Sequence, residues 1–103
     1  MRQCFNPNPM PPPWDIASIR FTQSSRRHRV GKQRALAAIH NPLAVSYQGL
    51  TSLGDHKYLV LGEDLTGRGL EIILVETLNG IIVIHVMDIR RKYLRSLKGD
   101  AND

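Results

Sequence analysis

"LEIILVETLNGIIVIHVMDI", residues 70–89, decides the reading of this chain. Two runs rich in β-branched residues flank Asn79-Gly80, a strong short-range signal for a β-hairpin. A two-residue turn at that pair sets Leu78 opposite Ile81, Leu74 opposite His85 and Ile72 opposite Met87. Because side chains alternate across a sheet, one face is expected to carry Leu70, Ile72, Leu74, Glu76, Val83, His85 and Met87. The other carries Glu71, Ile73, Val75, Ile82, Ile84, Val86 and Asp88. Its apolar centre makes this second face the one expected to pack on a helix. His85 interrupts the run, with Glu76 diagonal to it. The pair reads either as an oriented functional imidazole or as a satisfied core histidine.

Outward from the hairpin, "KYLVLGED" (57–64) reads as a strand closed by the glycine-containing turn "LTGRG", and "LAVSYQ" (43–48) as another. "GLTSLGDH" (49–56) between them reads as a loop that includes His56. Further upstream, "SIRFT" (18–22) is a short first strand, and "SSRRHRVGKQRALAAIHNP" (24–42) reads as helix, break, helix. Ser24 is the expected N-cap and Gly31 the interruption. Ala35, Leu36, Ala38 and Ile39 give an apolar helical face, and Asn41-Pro42 ends the element, with His40 balancing its dipole. The predicted class is α+β: a small antiparallel sheet of four to five strands against an N-terminal helical segment.

A chain of 103 residues supports one small domain. Residues 1–17 are expected to be an extended or disordered Pro-rich lead-in, with Trp14 a first anchor. Residues 18–98 form the domain, and residues 99–103 a tail. No run reaches the ~20 apolar residues of a membrane span. "MRQCFNPNPMPPPWD" lacks the apolar core of a signal peptide, so a cytoplasmic protein is expected. The single Cys4 offers neither a disulfide framework nor a zinc site.

The net charge of +5 is segregated. Residues 20–34 carry Arg20, Arg26, Arg27, Arg29, Lys32 and Arg34 without an acid. Residues 90–98 carry Arg90, Arg91, Lys92, Arg95 and Lys98, again without one. An acidic middle separates them. Two basic ends suit nucleic acid or an acidic protein partner if the fold brings them together. No Gly-rich phosphate loop, Ser-His-Asp order, zincin motif or EF-hand pattern is present.

"HRVGKQRALAAIHNPLA" (28–44) resembles the early motif of BrnT-type toxins, within the RelE-like group of bacterial toxin–antitoxin ribonucleases. His28, Val30, Gly31, Ala35, Ile39, Pro42, Leu43 and Ala44 fall at matching spacing, with Asn41 where the family has an acid. "HKYLVLG" (56–62) is similar to the family's Arg-Tyr-Leu-x-x-Gly strand, and "TGRGLEIILV" to its Gly-Arg turn and following strand. The resemblance covers roughly residues 28–84. Beyond it, "HVMDIRRKY" departs: His85 stands where the family has Ser, Met87 where it has Arg, and no Thr follows. Small actinobacterial-style toxin-like proteins with an Arg-Arg-His-Arg segment and a His-Val-Met strand are similar as well.

The resemblance implies the toxin of a type II toxin–antitoxin system. It would be a metal-independent endoribonuclease (an mRNA interferase) that needs no cofactor and pairs with a cognate antitoxin. Such chemistry uses the ribose 2′-hydroxyl against the adjacent phosphate and needs proton transfer plus cations on the phosphate. An imidazole can take or give that proton, and arginine's planar fork suits the phosphate. The expected catalytic set is His85 as acid or base, Arg90 and Arg91 on the phosphate, and Tyr93 stacking or hydrogen bonding. Arg26, Arg27, His28, Arg29, Lys32, Lys57 and Arg68 are expected to position the RNA backbone. The opposing reading is a non-catalytic basic binding module on the same fold.

Overall fold

The structure, a computed structural model, describes residues 18–98. The Pro-rich lead-in, with Cys4 and Trp14, and the tail after Lys98 lie outside the described residues. In chain order the elements are β1 (Arg20–Phe21), a 3-10 turn (Ser24–Arg26), α1 (Lys32–His40), β2 (Pro42–Leu50), β3 (His56–Glu63), β4 (Gly69–Thr77), β5 (Gly80–Asp88) and α2 (Arg91–Lys98). One five-stranded sheet forms in the order β1-β5-β4-β3-β2. The α+β class is as expected, but the sheet is mixed. Strands β2 to β5 run antiparallel to their neighbours, whereas β1 pairs parallel with β5 through Arg20–Ile82 and Phe21–Val83.

The hairpin differs from its expected register. Thr77 pairs with Gly80, so the turn residues are Leu78 and Asn79. The Thr77 hydroxyl sets this: it accepts the Asn79 N–H at 3.1 Å and donates to the Gly80 carbonyl at 2.8 Å. Gly80 then enters the strand at φ 123°, a conformation that L side chains rarely adopt. Further along, Leu74 pairs with Val83 but Ile73 pairs with His85, leaving Ile84 as a bulge. Beyond the bulge Ile72 faces Val86, where Met87 was expected.

The face on the helix is also the reverse of expectation. Ala35, Ala38 and Ile39 of α1 pack over β3 and β4, in one core with Val60, Leu70, Ile72, Leu74, Ile81, Val83 and Val86. Leu70, Ile72, Leu74, Val60 and Val83 have no exposed surface, each contributing about 1.5–3 kcal/mol by its burial. A nine-residue helix is marginal alone, so this packing holds it. Gly31 serves as its N-cap, Asn41 closes it, and His40 lies in its last turn as expected.

The first predicted helix is only a 3-10 turn, and Gln23, not Ser24, precedes it as cap. His56 begins β3, and its Nδ1 meets the Tyr47 hydroxyl at 2.8 Å. A second anchor sits at the β3–β4 turn, where the buried Asp64 carboxylate accepts the Thr66 hydroxyl at 2.6 Å and the Arg34 Nε–H at 2.6 Å. Those bonds, with backbone N–H groups of Thr66 and Arg68, hold its pKa well below the carboxylate range.

The seat of α1 depends on Gly62. A Cβ built there would collide with the Ala38 carbonyl of the helix. Gly62→Ala is therefore expected to push α1 off the sheet and cost about 1–3 kcal/mol in a urea titration. An unchanged midpoint would mean that α1 is not seated on β3.

Candidate active site

Glu71 lies in the middle of an apolar strand, and its alternation with Leu70 and Ile72 turns it to the sheet face away from α1. Its cross-strand neighbours are Leu61 and Met87, and its own exposure is zero. A charge in such a place must be paired. Arg90, just past β5, supplies most of the pairing. Its Nε–H donates to both carboxylate oxygens, at 3.0 and 3.1 Å, and its Nη2 donates to Oε2 at 2.8 Å. The Arg90 backbone N–H donates as well, at 3.1 Å. His85 Nε2 completes the set at 3.2 Å from Oε2.

The bulge at Ile84 makes this possible. Without it, the register between Gly80 and Val83 would continue and carry His85 onto the α1 face. The extra residue turns the imidazole to the Glu71 face, diagonal to the carboxylate. Diagonal pairing was expected, but the acid is Glu71 and not Glu76, which pairs with His56 and Ile81. Burial pushes the Glu71 carboxyl up; the Arg90 guanidinium, the Arg90 N–H and His85 outweigh it and hold the group below its ordinary range. The same carboxylate raises the Arg90 pKa.

The bulge also receives the N-terminal basic segment. Ile84 has no β4 partner, and its carbonyl accepts the Ser24 hydroxyl at 3.3 Å. Thr22 binds the Val83 carbonyl through its N–H at 3.0 Å and its hydroxyl at 3.2 Å. The buried Ser25 closes the turn by donating to the Thr22 carbonyl at 2.6 Å. The chain then reverses at Arg29, a non-glycine residue at φ 60°. This path sets the His28 ring edge-on to His85, with centroids 5.7 Å apart and planes at 78°.

The structure therefore brings His85, Arg90 and His28 together, with Tyr93 alongside: the Arg90 guanidinium lies 5.4 Å from the Tyr93 ring and Lys92 Nζ 4.9 Å from it. Arg91 is exposed at the start of α2, and Arg26, Arg27 and Arg29 are exposed on the His28 segment. None of these four arginines makes an ion pair among the described residues. Three expected RNA contacts have other surroundings. Lys32 lies 5.8 Å over the Phe21 ring, and Arg68 meets Asp88 at 3.6 Å. Lys57 pairs with Val75, four residues along β4 from Glu71, roughly 13 Å at strand spacing. Among the described residues no group of three or more His, Cys, Asp or Glu is placed to hold a metal ion. None of their helices is long and apolar enough to cross a membrane.

Glu71 is the site residue that the sequence reading missed. Its signal was an acid inside "LEIILV", at a position too apolar for a charge unless a cation reaches it. Comparison with protein-family models, curated proteins and solved structures found no match.

Glu71→Gln keeps the shape of the side chain and removes the charge that Arg90 and His85 face. The variant is expected to melt on the order of 5 °C lower at neutral pH. Because the folded carboxyl sits below its ordinary 4.5, its contribution is complete above that pH and is lost as the pH falls through the folded value. The gap to wild type should close on acidification in thermal melts. A gap independent of pH would show that shape, not charge, holds the site.

Proposed function

We propose that the protein is a metal-independent endoribonuclease acting as the toxin of a type II toxin–antitoxin pair, on a RelE-like variant of the α+β fold. The observation that carries this reading is the buried Glu71 carboxylate holding the His85 imidazole and the Arg90 guanidinium on one sheet face. An ionised carboxylate only accepts hydrogen bonds, so Nε2 of His85 carries the proton between them. Nδ1, across the ring, is then left with a lone pair for a ribose 2′-hydroxyl.

Arg90 has five N–H donors and directs two of them at Glu71, so others remain for a phosphate oxygen. Its orientation is fixed before any substrate arrives, which is the condition for electrostatic catalysis. Arg91 lies next in the chain for the same phosphate, and Tyr93 backs the guanidinium. Arg26, Arg27 and Arg29 supply exposed positive charge on the segment leading to the site. RNA cleavage of this kind inhibits translation, and a basic surface of this size suits an antitoxin with an acidic segment.

A second reading is a basic module that binds without cutting. Two observations favour it: Glu71 already engages the Nε–Nη2 edge of Arg90, and Met87 stands where the resembling family has its arginine.

Induced expression of wild type beside His85→Ala and the double variant Arg90→Ala/Arg91→Ala separates the two. Growth arrest with new 5′-hydroxyl RNA ends, lost in both variants while each stays folded, is the expected result. Normal growth and intact RNA with folded wild-type protein would leave only the binding module.

A further inference from the structure

Cleavage through the 2′-hydroxyl has two proton problems. The attacking oxygen must lose a proton, and the leaving 5′-oxygen must gain one on the opposite side of the phosphorus. One imidazole cannot stand at both places within a single in-line displacement. Glu71 cannot be the second group: it has no exposure, and Arg90 and His85 occupy both of its oxygens. Arginines cannot cycle a proton, because a guanidinium does not deprotonate in proteins.

His28 meets the need. Resting on the ribonuclease reading, we propose that His28 is the general acid for the leaving 5′-oxygen, with His85 as the base. The two rings lie 5.7 Å apart and nearly perpendicular, and they arrive from opposite elements, β5 and the segment ahead of α1. The two rings thus stand side by side at the site, each on its own element, and a phosphate brought to Arg90 lies next to His85, which shares the Glu71 carboxylate with it. His28 is exposed, so the residue is accessible to substrate.

Its placement is also built, not incidental. The hydroxyls of Thr22 and Ser24 fasten the segment to the carbonyls at the β5 bulge. Arg29 takes up a left-handed conformation directly after it, backbone strain of a kind that folded chains concentrate at functional sites.

The step balances. The 2′-oxygen bonds to phosphorus as its proton passes to Nδ1 of His85. The bond from phosphorus to the 5′-oxygen breaks, and that oxygen takes the proton held by His28. The products are a 2′,3′-cyclic phosphate and a 5′-hydroxyl end. One proton has moved from His28 to His85, and exchange with water resets the pair.

A leaving group that needs no proton tests the assignment. Full-length wild type, His28→Ala and His85→Ala would be given short RNAs covering every dinucleotide step, with either oxygen or sulfur at the 5′-bridging position. Melting curves would establish that the variants stay folded. His28→Ala should cut the oxygen RNA roughly 10²–10⁴-fold more slowly and the sulfur RNA near the wild-type rate, whereas His85→Ala should be slow on both. A His28→Ala rate equal to wild type on oxygen RNA, or equally depressed on both RNAs, would overturn the acid role alone. No cleavage of either RNA by folded wild type would overturn the ribonuclease reading, and this assignment with it.

Discussion

A carboxylate without solvent, Glu71, is the constraint on which the end of the sheet around His85 and Arg90 depends. An unpaired charge in that position costs several kcal/mol, so the chain around it is arranged to bring partners. The bulge at Ile84 turns His85 to the carboxylate, and the chain leaving β5 bends back so that Arg90 meets it with both side chain and backbone. α2 begins one residue later. Its own first turn holds no acid, and Glu71 places a negative charge there from the sheet, where a helix N-terminus favours one. The same interaction thus fixes the imidazole, the guanidinium and the start of the last helix.

α1 has the opposite arrangement. Its first turn is basic, with Lys32 and Arg34 where the helix dipole disfavours cations. Arg34 is compensated by Asp64 and Asp88, and Lys32 by the Phe21 ring. The helix carries positive charge at its weaker end and is kept in place by Gly62 and the aliphatic core, not by its own electrostatics.

The element order, the β-rich middle, the break at Gly31 and the stop at Asn41-Pro42 were legible because each rests on local backbone preference. Register was not. Thr77 captured the turn by side-chain hydrogen bonds and moved the partner of Leu74 by two residues, from His85 to Val83, which keeps the faces. The Ile84 bulge then moved the ladder by one, and a one-residue slip turns the rest of β5 to the opposite face. Leu70, Ile72 and Leu74 were as apolar as Ile73 and Val75, and alternation alone could not choose between them. The acid that decided the matter, Glu71, sat in the run expected to be core. His85 and Arg90 were legible as residue types, while their common partner required the bulge. The parallel pairing of β1 left no local mark, since only two residues form it.

Counting charge along the chain overstated the available electrostatic surface and misplaced its centre. Arg34 and Arg68 neutralise Asp64 and Asp88 at the β3–β4 turn, and Arg90 is matched by Glu71. The Glu71–His85–Arg90 cluster is therefore close to neutral in formal charge when His85 is uncharged. The net field over it comes from its surroundings, from Arg26, Arg27 and Arg29 on one side and Arg91 on the other. In the proposed reading, steering and reaction fall to different residues. Exposed arginines attract a polyanion over a distance that salt screens, whereas the half-exposed Arg90 keeps its orientation because its partner carboxylate is out of reach of water. An anion reaching this face would meet a guanidinium already held in one direction, so the order that the proposed reaction needs is built into the folded chain.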